Sequence, residues 1–106
     1  MLLTGEYRVI PLKSATFGSQ ETMPNIQAIV DLEDYDVLRQ YTWKAVELSK
    51  NRWTAVTYVD GKKVYMSRLV TNTVEDDDVY IKFRDGDALD CRRQNLVVYR
   101  RVKTGG

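Results

Sequence analysis

Asp60-Gly61 stands between two β-rich runs, Trp53–Val59 and Lys63–Leu69. An Asp-Gly pair in this setting closes an antiparallel hairpin, because both turn residues must tolerate positive φ. The hairpin sets the class of fold: a strand pair exists here whatever surrounds it, and neighbouring elements must cover its apolar face. Further strands are expected at Gly5–Leu12, stopped at Pro11, and at Ile26–Val30, a short apolar run. Thr42–Leu48 precedes the hairpin as another, and Val79–Phe83 and Leu96–Tyr99 follow it, joined by an Arg84–Asn95 loop.

One segment changes period. In Asp31–Gln40, Leu32, Tyr35, Val37 and Leu38 recur near one helical face, and Asp31 is placed to cap the start. A helix of two to three turns over about 32–40 is expected. Lys13–Asn25, rich in Ser, Thr and Gly, reads as a loop, as does the acidic run Glu75–Asp78. Leu69–Asn72 reads as a turn or the start of a short helix. The fold class is α+β: one small, mostly antiparallel domain spanning 1–106, with a strand and loop over 1–25 and a polar tail over 100–106.

The chain has 106 residues, enough for one modest core, and 29% of them are charged. There is no long apolar run for a membrane span, and Glu6 and Arg8 interrupt the N-terminal stretch where a secretory leader would lie. Cys91 is the single cysteine, so no intrachain disulfide forms. The cytoplasm is the expected compartment. Two counts bear on function: His is 0, which removes the usual general base and commonest metal ligand, and the formal net charge is +1. Proteins that live on phosphate contacts usually carry a larger basic surplus.

Leu89–Leu96 reads L-D-C-R-R-Q-N-L. It resembles the L-D-N-R-x-x-N-L segment of phage-type HNH homing endonucleases, with Cys91 at the place of the family's first Asn. Asp31–Trp43 is similar to that family's D-x-E-D-Y-x-x-L-x-x-Y-x-W segment. Thr54–Val70 is similar to its hairpin, with Ser67-Arg68-Leu69 where the family has His-Arg-Leu. The resemblance covers about 26–99. It implies a C-terminal ββα-metal strand pair with a nuclease site. At the site's positions stand Lys82 for the metal-binding Asp, Phe83 for the general-base His, Asn95 for the central Asn, and Thr104 near the last ligand. Phe83 cannot accept a proton, and Lys82 repels a cation. The last helix would have to form from a tail ending in Gly105-Gly106. The resemblance therefore implies a frame without catalysis, with no metal or cofactor, and a phage or mobile-element origin.

What remains is binding. Lys82, Arg84, Arg92, Arg93, Arg100, Arg101 and Lys103 make the C-terminal third the most basic part of the chain, with Tyr80 and Tyr99 among them. Basic residues interleaved with aromatics suit phosphate contact and base stacking. They equally suit a solvated face of a small sheet. Near-neutral charge and seven Tyr favour a protein partner: an inhibitor of a host nuclease or Cas effector, anti-CRISPR-like in kind. A non-cleaving DNA- or RNA-binding protein is the alternative, and an active metal-dependent nuclease ranks below both. Glu75–Asp78 and Asp85-Gly86-Asp87 lack the ligand spacing of a calcium loop and are read as structural, with Asp90 tying a turn or pairing with an Arg. Trp43 and Trp53 are read as core.

Overall fold

A computed structural model describes residues 6–14 and 22–101. β1 (Tyr7–Ser14), β2 (Thr22–Asp31), α1 (Leu32–Leu38), β3 (Lys44–Ser49), β4 (Arg52–Val59), β5 (Lys62–Tyr65) and α2 (Met66–Thr71) are followed by β6 (Val79–Phe83) and β7 (Leu96–Arg100). A 3-10 turn, Arg93–Asn95, leads into β7. The first five strands form one sheet in the order β2-β1-β3-β4-β5, and β6 and β7 form a separate ribbon. The class is α+β, as expected, with two helices rather than one. Every strand pair is antiparallel except β1 with β3, which run parallel over Lys13 and Ser14.

The Asp60-Gly61 turn forms as its composition requires, with φ of 52° and 81°. Other boundaries depart from the sequence expectation. Pro11 does not stop β1. The bond from Leu32 N–H to Glu6 C=O fixes the alternation, so that even-numbered residues of β1 turn their backbone groups toward β2. Pro11 therefore faces the other edge, ahead of Lys13, where β3 begins to pair, and no ladder donor is lost. Lys13, Ser14 and Thr22–Asn25, expected in a loop, belong to strands.

The hairpin's second strand ends at Tyr65, not Leu69. Met66–Thr71 turns helical and closes on Asn72 in the left-handed conformation, at φ 58°. Asn accepts that conformation more readily than most residues. α1 also presents a different face from the expected one. Asp34, Tyr35 and Leu38 point inward, while Leu32 and Val37 are exposed. The Trp43 indole N–H donates at 2.7 Å to Leu38 C=O, a carbonyl at the end of α1 that also accepts Tyr41 N–H at 3.1 Å. Ile10, Leu12, Val30, Leu38, Trp43 and Met66 lie in the core, with Phe83 and Ile81 of the ribbon packed against it.

Candidate functional site

The ribbon and its loop carry most of the residues singled out by sequence. Register pairs Tyr80 with Tyr99, Lys82 with Val97, and Phe83 with Leu96. Successive strand residues face opposite sides, so Phe83 and Ile81 pack on the core while Tyr80, Lys82 and Tyr99 share the outer face. The Tyr80 and Tyr99 rings stack at 5.2 Å with 13° between their planes. Lys82 Nζ lies 5.5 Å from the centre of the Tyr99 ring. This is a cation–π arrangement on an exposed aromatic pair. Lys82 and Phe83, adjacent in sequence, thus end on opposite faces.

The Arg84–Asn95 loop is built from carboxylates acting on their own backbone. Asp85, Asp87 and Asp90 each accept the N–H two residues on, at 2.8, 3.0 and 3.2 Å. These are Asx turns, the role expected of short acidic side chains in a loop. Asn95 closes the loop. Its Oδ1 accepts from Asp85 N–H at 3.1 Å, and its Nδ2 donates to Asp85 Oδ1 and Asp90 C=O at 3.0 and 2.9 Å. The Leu89–Cys91 stretch then docks beside β2: Ile29 N–H donates to Leu89 C=O, and Cys91 N–H donates to Ile29 C=O. Cys91 is fully buried there. Burial, then the charges of Asp90 and Asp87, push its thiol up to about 12.

No family model, curated protein or solved structure matches this chain.

Three of the five arginines expected to form a phosphate-facing patch have carboxylate partners. Arg92 makes two bonds to Asp90, at 2.9 and 2.7 Å, and its guanidinium lies over the Tyr7 ring. Arg93 makes two bonds to Asp34, at 3.0 and 2.7 Å, and Arg100 bonds Asp78 at 2.7 Å. Hydrogen bonding to these carboxylates raises the pKa of each of the three arginines. Among the described residues, Lys82, Arg84 and Arg101 have no ion-pair partner. Lys103 and Thr104 lie outside the described residues, as does the expected absence of a terminal helix.

Sequence reasoning assigned Asp31 a helix cap. Its side chain makes no cap bond to α1 and instead accepts Arg93 N–H at 2.8 Å, at the start of the 3-10 turn. Asp34, in the first turn of α1, is the buried partner of the Arg93 side chain. No local pattern announces a pairing over that separation. Arg68, on α2, donates to the carbonyls of Thr73, Asp76 and Val79 and holds the acidic loop against the ribbon. Tyr80 had a legible signal: in an antiparallel pair, it sits as far before the loop as Tyr99 sits after it. Beside Tyr80, along the β6 side of the ribbon, lies a groove lined by Leu48, Tyr65 and Phe83.

Proposed function

We propose that this chain is a non-catalytic binding protein on a degenerate HNH endonuclease frame, of phage or mobile-element origin and acting in the host cytoplasm. Its partner is a protein, most simply a host nuclease or Cas effector that it inhibits. The observation that carries the proposal is the Tyr80–Tyr99 pair with Lys82, exposed on the ribbon, while Arg92, Arg93 and Arg100 are tied to internal carboxylates. A rigid aromatic pair with a polar tip and one adjacent cation is the composition of a protein-binding hot spot. Phe83 supports the absence of hydrolysis, because the position the resemblance assigns to the general base carries a ring packed on the core.

Capture from a host lysate tests this directly. The wild-type chain is expected to retain a nuclease, and Tyr99→Ala is expected to lose it while keeping its fold by circular dichroism. Recovery of no protein partner would sink the proposal.

A non-cleaving nucleic-acid-binding role draws on Lys82 and Arg84, which flank the aromatic pair without carboxylate partners among the described residues. It predicts a gel shift with generic DNA or RNA that weakens as salt rises. Metal-dependent cleavage of a duplex would instead restore the nuclease.

A further inference from the structure

β7 carries an open strand edge. The bonds from Arg84 N–H to Asn95 C=O and from Arg101 N–H to Asp78 C=O set the alternation of the ribbon. Tyr80 and Lys82 therefore exchange backbone bonds with Tyr99 and Val97, and Leu96, Val98 and Arg100 turn theirs away from β6. Leu96 N–H is taken by Arg93 C=O. Among the described residues, nothing pairs with the outward N–H and C=O of Val98 and Arg100.

Several other edges are covered in part. Leu89 and Cys91 occupy β2 at Ile29. β5 is four residues long and carries Lys62 and Lys63. On the outer edge of β6, the Val79 carbonyl takes Arg68 and the Phe83 carbonyl takes Gly86 N–H. Folded proteins commonly guard edges by such means, since an open edge is a template for another strand. Val98 adds an apolar side chain at the middle of the unguarded edge. It lies on the core-facing side of the ribbon, yet it is 42% exposed.

We propose that this edge pairs with the β7 edge of a second copy of the chain, antiparallel about a two-fold axis at Val98, to make a four-stranded sheet β6-β7-β7-β6. Pairing about Val98 sets Leu96 opposite Arg100 of the second copy and Val97 opposite its Tyr99. No like charges face each other, whereas centring on Arg100 would oppose two arginines. The contact is self-complementary, as a two-fold interface requires, and a net charge of +1 gives little long-range repulsion between copies. It also places both Tyr80–Tyr99 pairs on one continuous face. The surface covered is small, so the dimer is concentration-dependent.

Sedimentation of the full chain over a dilution series tests the association, and Val98→Cys tests its geometry. Residues directly opposite in such a pair have Cα atoms about 5.5 Å apart, within disulfide reach. Expected results are twice the chain mass at high concentration, a disulfide-linked dimer of Val98→Cys on mild oxidation, and no comparable cross-link for Tyr58→Cys. Val98→Lys, at the same exposed site, is expected to stay monomeric with an unchanged circular dichroism spectrum. A wild-type chain that is monomeric at its solubility limit would overturn the proposal. So would a dimer that survives Val98→Lys or fails to cross-link through Val98→Cys.

Discussion

The Arg93 guanidinium closes two bonds on the Asp34 carboxylate, at 3.0 and 2.7 Å, across 59 residues of chain. With Asp31 accepting Arg93 N–H, it fastens the turn that launches β7 to the start of α1. This arginine joins the docking of Leu89 and Cys91 on β2 and the packing of Ile81 and Phe83 on the core in orienting the ribbon against the main sheet.

Asp34→Ala should loosen that joint. The carboxylate is nearly buried while Arg93 is half exposed, at 12% and 55% of side-chain surface. The expected cost is about 1–2 kcal/mol, toward the lower part of the range for charged hydrogen bonds because Arg93 can turn to water. Urea denaturation measures it. Arg100→Ala, which breaks a solvent-exposed pair with Asp78, should leave the midpoint where it is.

Asn95→Ala removes both side-chain bonds to Asp85 and the bond to Asp90 C=O from a buried position. A loss of about 1–3 kcal/mol follows from leaving buried groups unpaired. Asn95→Asp should be more damaging at neutral pH, because it sets a second carboxylate against Asp85. That extra loss should ease below about pH 4, where carboxylates take up protons. A parallel urea series at the two pH values decides the point.

Cys91 gives the fold an alkaline limit. Its folded pKa, pushed up to about 12, lies above the ordinary 9.0. The unfolded chain releases the proton first as pH rises, so the contribution is whole below pH 9.0 and is lost progressively toward pH 12. Cys91→Ser should flatten this slope in denaturation curves taken across that window. At pH 8 the native thiol should resist alkylation until denaturant exposes it.

Gly61→Ala tests the hairpin. An added Cβ meets nothing within 4 Å, so the strain is in the backbone alone, at φ 81°. The expected cost is about 1–2 kcal/mol, read from the thermal midpoint, with no change in the spectrum of the folded state.

The hairpin was legible because two residues at a turn demand their own backbone conformation. β6 was legible to the residue, and the Asx turns of Asp85 and Asp90 were legible in kind, since both depend on neighbours in sequence. Trp43 and Trp53 were legible as core. Boundaries failed where pairing partners decided them. Pro11 looked like a stop, and only the unused side of β1 explains why it is not. Met66–Leu69 looked like strand, and became helix where the hairpin's second strand runs out.

The basic C-terminal third was a count of charges, and a count does not say where they point. Folding brings Asp34 and Asp78 to Arg93 and Arg100, which leaves Lys82, Arg84 and Arg101 as the described residues of that group without an ion pair. The sequence by itself determined the α+β class and the turn chemistry. The tertiary structure decided which charges are neutralised, which face Lys82 and Phe83 take, and which strand edge stays open. Propensity, turn preference and side-chain alternation act over a few residues, whereas ion pairing and edge coverage depend on groups brought together from dozens of residues away.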